Sequence, residues 1–187
     1  MINDVFKTPV YQTELKLDNK AISLYCVHHS KKDEGRTISN SGGYQSNSLS
    51  GTIPMLNDLF ESIIQHSNKM AKLIGLKPTQ LTDVWINING YKDSNLSHIH
   101  SHCMLSGVYY VKTPENCGDL VLCNPATHMN HDWDHDTVEE ELTNYTSARC
   151  MMPARESTLY IFPSWLEHYV SPNMSEGKRI SISFNMC

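Results

Sequence analysis

Short, turn-punctuated apolar runs crowd the C-terminal half of this chain: TDVWINING, CMLSGVYYVKT, GDLVLCN, STLYIFPS, HYVSP and RISISFN. Each is either apolar throughout or alternates apolar with polar residues, and Gly, Pro or Asn separates it from the next. Runs of this length and period are strands rather than helices, and a succession of them folds into sheets packed face to face. The pattern predicts a β-sandwich or jelly roll. Upstream, FKTPVYQTELKL and AISLYCVHH read as further short β segments, and SNSGGYQSNSLSGTIP reads as loop.

One helix interrupts the pattern. Between Met55 and Leu76, the apolar residues Leu56, Leu59, Phe60, Ile63, Ile64, Met70, Ala71 and Ile74 fall mostly three or four apart, and Gly75 stands at the expected end. Such a stripe buries itself against a sheet. The expected fold is therefore mainly β with few helices, an N-terminal helix packing on the sheet. Residues 124 to 155 are the exception, polar and acidic with weak periodicity. A loop this long inside a domain is usually functional or mobile, and here it is the segment expected to select a substrate.

The chain has 187 residues, 40% of them hydrophobic, which suits a single domain spanning 1–187. Net charge is -5 and the positive residues are scattered, so neither nucleic acid nor an anionic membrane surface is an expected partner. The N-terminus lacks a basic-then-apolar signal pattern, and no stretch approaches the roughly 18 apolar residues of a membrane span. A cytoplasmic protein is expected, with small-molecule partners; a homodimer is compatible with the composition. Six cysteines occur without a C-x-x-C pair, which speaks against a zinc ribbon and for reduced thiols.

Chemistry concentrates in SNLSHIHSHCMLSGVYYV, where His98, His100 and His102 occupy alternate positions just before an apolar run. In an extended segment, residues two apart share a face, so a two-residue histidine spacing can supply two ligands to one metal ion. A third must come from elsewhere. His168 is the candidate, lying beyond an apolar strand and a Pro-containing turn in LYIFPSWLEHYVSPN. Eleven residues later, Arg179 and Ser181 share one face of RISISFN. A guanidinium fork beside a hydroxyl suits a carboxylate. The cluster NHDWDHDT, residues 130 to 137, also carries His and carboxylates, but it sits in irregular chain and is not expected to bind metal.

Taken together, His-x-His, a distal His and Arg-x-Ser resemble the iron(II)- and 2-oxoglutarate-dependent oxygenases, in which His-x-Asp/Glu, a distal His and a basic residue two before Ser or Thr are usual. The blocks SNSGGYQS, HIHSHCMLSGVYYV and LYIFPSWLEHYVSPNMSEGKRISISFN look like one branch, the putative 2OG-Fe(II) oxygenases known mainly from marine bacteria and phage. The resemblance implies a double-stranded β-helix, a jelly-roll, cupin-like fold. It also implies Fe(II) held by His98, His100 and His168, and 2-oxoglutarate anchored through Arg179 and Ser181. Tyr91, seven residues before His98, offers a further hydroxyl for the same anion. The implied reaction converts 2-oxoglutarate and dioxygen to succinate and carbon dioxide while oxidising a substrate that the sequence does not identify.

Alternatives stay open at this stage. The pair His100 and His102 would shift the register by one alternate position, and Asp119 in CGDLV is a rival carboxylate ligand. With His100 where the wider family has a carboxylate, the centre carries one positive charge more, and three histidines plus water is also a common catalytic zinc set. A three-histidine metalloenzyme without 2-oxoglutarate and a non-catalytic jelly-roll binding or assembly protein are the rival functions. Asn87, Asn89, Tyr109, Tyr110 and Trp165 are further candidates to shape a pocket.

Overall fold

Two antiparallel sheets lie face to face in the computed structural model, which describes residues 3, 5–50, 52–127 and 142–187. The strands are β1 (Tyr11–Glu14), β2 (Asn40–Ser41), β3 (Tyr44–Gln45), β4 (Leu81–Asn89), β5 (Ser94–His98), β6 (Leu105–Lys112), β7 (Leu120–Cys123), β8 (Arg149–Met152), β9 (Thr158–Pro163), β10 (His168–Val170) and β11 (Arg179–Met186). The major sheet has the order β1-β9-β6-β11-β4-β3 and the minor sheet the order β2-β5-β10-β7-β8. The chain alternates between them, passing from β4 to β5, from β6 to β7 and from β9 to β10. This is the double-stranded β-helix that the strand pattern and the resemblance led us to expect.

Period-2 alternation in β11 decides which face does what. Ile180, Ile182, Phe184 and Met186 point outward with Val84, Ile86, Ile88, Tyr109 and Val111 of the neighbouring strands, into a core capped by two helices. Arg179, Ser181 and Ser183 point the other way, into the space between the sheets. There, a second and smaller apolar cluster joins Val108, Tyr110, Tyr160 and Phe162 to Leu120, Leu122 and Leu166.

The helices are α1 (Asn19–His29) and α2 (Asn57–Leu73). The second is the expected stripe, shorter at both ends: a 3-10 turn over Pro54–Leu56 precedes it, and Leu59, Ile63, Met70 and Ala71 are its buried face. Gly75, at φ +80°, ends it, and Leu76 N–H closes back on the Ala71 carbonyl at 2.8 Å. Only glycine adopts that conformation without strain.

The first helix corrects the sequence reading, because AISLYCVHH is not a strand. The Asp18 carboxylate accepts from Ala21 N–H at 3.0 Å and starts the helix, while Asn19, Ile22 and Cys26 recur on its buried face. Tyr109 Oη donates to Asn19 Oδ1 at 2.6 Å and ties α1 to β6. Two further differences are local. The Gly/Ser-rich stretch expected as loop contains β2 and β3, which join opposite sheets, and the long polar segment contributes β8 at the edge of the minor sheet. His128 and the acidic cluster 130–137 lie outside the described residues. Among the described residues no helix is long and apolar enough to cross a membrane, and all six cysteines are free.

Candidate functional site

The ends of β5 and β10 meet at one end of the space between the sheets. His168 opens β10 and is paired directly with His98, the last residue of β5. Their ring centroids are 4.4 Å apart, and His100, two residues past the strand end, brings its ring to 4.9 and 5.1 Å from the other two. One ligand-type atom from each of the three lies within 4.8 Å of the others.

The protonation of the rings follows from their partners. His98 Nδ1 lies 2.6 Å from the Leu96 carbonyl and His168 Nδ1 lies 2.8 Å from the Leu166 carbonyl. A carbonyl only accepts, so both Nδ1 atoms carry the proton, leaving both Nε2 lone pairs free. His168 Nε2 is 3.3 Å from His100 Nε2. Two nitrogens each about 2.1 Å from one ion, at octahedral or tetrahedral angles, stand about 3.0 to 3.4 Å apart, so this spacing fits two ligands of a single metal.

Burial keeps the cluster neutral. Desolvation lowers His168 to about 3 and His100 to about 4, helped in each case by the neighbouring imidazoles, and it lowers His98 as well. Neutral imidazole is the ligating form. The edge of Phe162 packs on His168 at 4.6 Å and Trp85 stacks on His100 at 5.6 Å, so apolar surface surrounds the polar centre.

The rest of the expected site sorts cleanly. His102 sits in the following turn at φ +67°, exposed and outside the cluster. Asp119 is engaged elsewhere, its carboxylate accepting from Ala154 N–H at 2.8 Å. Tyr91 is half exposed beneath Lys92 Nζ and does not line the cavity. Tyr109 faces the outer core and Trp165 is exposed. Asn87, by contrast, does line the cavity, with Nδ2 donating to Ser183 Oγ at 3.0 Å.

Deeper between the sheets lies an anion-shaped polar end. Arg179 is only 1% exposed, and its Nη1 donates to the carbonyls of Cys117 and Ser171. Gly118, at φ +80°, allows that approach, because a Cβ there would collide with the Ser171 carbonyl and crowd Nη1. Arg179 Nη2 is buried without a partner, and so is the hydroxyl of Tyr110. Tyr110 is paired with Ser181 across β6 and β11, so guanidinium, phenol and serine hydroxyl line one cavity with the three histidines. An unpaired buried donor costs about 1 to 3 kcal/mol, which a bound carboxylate would relieve. Sequence reading named Tyr110 only as a residue that could shape the pocket and gave the anion's phenol to Tyr91. The signal was strand parity: Tyr110 shares its face with Val108, and Tyr109 takes the opposite one.

Residues 83–185 match the family model described as "Putative 2OG-Fe(II) oxygenase". In three dimensions the chain is similar to a prolyl-4-hydroxylase of Pseudomonas putida, with a TM-score of 0.64 at 12% identity over 96% of this chain and 92% of that one. It is also similar to SnoK, a non-heme alpha ketoglutarate dependent carbocyclase from nogalamycin biosynthesis, at 0.67, 15%, 96% and 80%. For the viral collagen prolyl hydroxylase of Paramecium Bursaria Chlorella virus-1, solved as its 2OG complex, the values are 0.60, 12%, 95% and 94%. No curated protein matches the chain by sequence.

Proposed function

The chain belongs to the 2OG-Fe(II) oxygenase family whose model it matches, and from that premise we propose that it is a hydroxylase using His98, His100 and His168 for iron and Arg179, Ser181 and Tyr110 for the cosubstrate. The observation that carries the assignment is the pair of unpartnered buried donors, Arg179 Nη2 and the Tyr110 hydroxyl, in the cavity that also holds three neutral imidazoles. A metalloenzyme without a keto acid would leave both donors unsatisfied.

When bound, iron and 2-oxoglutarate supply the oxidising chemistry, with succinate and carbon dioxide as coproducts. The protein's part is binding and exclusion. His98 and His168 present their Nε2 lone pairs because the Leu96 and Leu166 carbonyls hold the Nδ1 protons. Arg179 meets the distal carboxylate as a preformed cation, held in place by two backbone carbonyls that leave Nη2 available. Phe162, Val108, Leu120 and Val170 line the cavity with apolar surface and keep water from it. The same reading makes the protein a single-domain cytoplasmic enzyme of marine bacterial or phage type, acting on something other than nucleic acid. The scattered positive charge of the sequence supports that last point.

Anaerobic reconstitution with Fe(II) and 2-oxoglutarate tests the proposal. A weak visible charge-transfer band of the chelated keto acid is expected. His98→Ala, His100→Ala and His168→Ala should each lose the metal, whereas His102→Ala should keep it. Arg179→Ala should retain iron while binding 2-oxoglutarate at least about tenfold more weakly, as expected for a desolvated charge pair. Equal keto-acid binding by that variant and the parent would overturn the assignment.

A further inference from the structure

Among the described residues, three side chains that line the cavity carry a bare buried polar group: Arg179 at Nη2, Tyr110 at its hydroxyl and Asn87 at Oδ1. The first two can donate and suit an anion. The third only accepts, and an amide oxygen turned on a carboxylate repels it. Asn87 is 5% exposed, so bulk solvent does not relieve the mismatch.

Strand register places this residue within the site. Across β4 and β11, Asn89 faces Arg179, Asn87 faces Ser181 and Trp85 faces Ser183. Trp85 in turn stacks on His100. Residues two apart on a strand share a face and stand about 7 Å apart. Asn87 is therefore one step from the level of the guanidinium and one step from the level of the imidazole. A keto acid that reaches from Arg179 to the histidines passes it.

The partner of the amide resolves the mismatch. Asn87 Nδ2 donates to Ser183 Oγ at 3.0 Å, and among the described residues that hydroxyl has no other hydrogen bond. A hydroxyl donates as readily as it accepts. Half a rotation of the amide about its last side-chain bond exchanges oxygen and nitrogen at nearly the same positions. Ser183 Oγ–H then donates to Oδ1, and Nδ2 takes the place of the bare oxygen. The turn costs no hydrogen bond, and it makes the third bare group a donor like the other two.

We infer that Asn87 is a further cosubstrate-binding residue, donating from Nδ2 to the inner, keto-acid half of 2-oxoglutarate, with Ser183 as the positioning residue that holds the amide in that orientation. The inference rests on the cosubstrate site proposed above and says how the half of the anion remote from Arg179 is met. The two ends of the site then differ in what they control. Arg179 sets affinity alone, whereas Asn87 also bears on the half of the keto acid that chelates the metal.

The test is anaerobic titration of the full chain, loaded with Fe(II), with 2-oxoglutarate, read by affinity and by the position of the visible charge-transfer band. Asn87→Leu should weaken 2-oxoglutarate about tenfold, the worth of one hydrogen bond to a charged group, and should move the band. Arg179→Ala should weaken it at least about tenfold with the band unmoved. Asn87→Asp is nearly isosteric but exchanges the donor for a negative acceptor, and at pH 8 it should weaken binding about a hundredfold or more, because like charges then face each other. Ser183→Ala releases the amide and should weaken binding about threefold. Ser183→Thr keeps the hydroxyl and should stay within about twofold of the parent. Should Asn87→Leu fail to fold, Asn87→Asp and Ser183→Ala decide on the same two readouts. An unmoved band in Asn87→Leu, whatever its affinity, or parental affinity in Asn87→Asp, would overturn the inference and leave Arg179 and the histidines as assigned. Unchanged affinity in Ser183→Ala would overturn the part given to Ser183. A parent that binds no keto acid, or an Arg179→Ala variant that binds it equally well, would overturn the cosubstrate site itself and this inference with it.

Discussion

The two faces of β11 share one backbone and two hydrogen-bonded neighbours, yet they do opposite work. Towards the helices, Ile180, Ile182, Phe184 and Met186 complete an apolar core. Towards the minor sheet, Arg179, Ser181 and Ser183 line a cavity that holds buried donors without partners. Outward burial stabilises the fold by about 1.5 to 3 kcal/mol per large side chain, whereas the inward face carries unmet polar groups at a cost. Stability and chemistry are thus separated by a single residue step along a strand, and a substitution should affect one far more than the other according to its parity.

Phe184→Ala should show the largest effect, a loss of about 3 to 5 kcal/mol in urea unfolding, because a fully buried ring leaves a cavity in the larger core. Keto-acid affinity of the folded variant should stay within about twofold of the parent, that face having no contact with the cavity. A parallel loss of both would break the division.

Acid should act most strongly through the inward face, with His66 on α2, also lowered by burial, adding a smaller part. In the metal-free protein, His168 and His100 titrate near 3 and 4 against an ordinary 6.5, so between those values the unfolded chain binds more protons than the folded one. Stability is then full above pH 6.5 and falls as pH drops towards 4, by an amount on the order of a few kcal/mol. Unfolding of the parent and of His168→Gln across that range provides the measurement: the variant should show the shallower slope, while Phe184→Ala should lie below the parent at every pH by a similar margin.

Tyr110→Phe sharpens the comparison further. Removing the unpartnered hydroxyl should weaken 2-oxoglutarate about tenfold, the worth of one hydrogen bond to a charged group, while leaving the metal-free protein as stable or slightly more so. Smallest of all, Tyr91→Phe should change neither stability nor keto-acid affinity by more than about 0.5 kcal/mol, since that side chain is half exposed and away from the cavity.

Strand alternation was the legible part of this architecture. RISISFN announces its two faces in the sequence, and the two-residue histidine spacing with a distal His and Arg-x-Ser is visible without coordinates. What could not be read were relations set by register between strands. Tyr110 meets Ser181 only because β6 and β11 pair with an irregularity next to Ser181, and nothing in either strand alone specifies that offset. Tyr91, close to the histidines in sequence, therefore looked the better partner. The helix α1 was hidden for another reason. Its β-branched and aromatic residues mimic a strand, and its true signal, an Asp cap followed by Asn19, Ile22 and Cys26, places an amide rather than a hydrophobe at the first buried position. Asn185 lies on β11 among residues that read as pattern, and only the fold brings its side chain to Ser106, whose hydroxyl meets that of Ser164.

The order of the major sheet also has a consequence in time. β11 is the strand that β4 and β6 share, yet it follows β6 in the chain by well over half a hundred residues. During synthesis at about 5 to 20 residues per second, β4 and β6 wait several seconds with open edges before their common neighbour exists. Their exposed backbone is then a target for wrong pairing, the interval in which a chaperone or a slower codon would matter most. Arg179 and Ser181 arrive with that closing strand, so no nascent chain holds the cosubstrate pocket before the sheet itself is sealed.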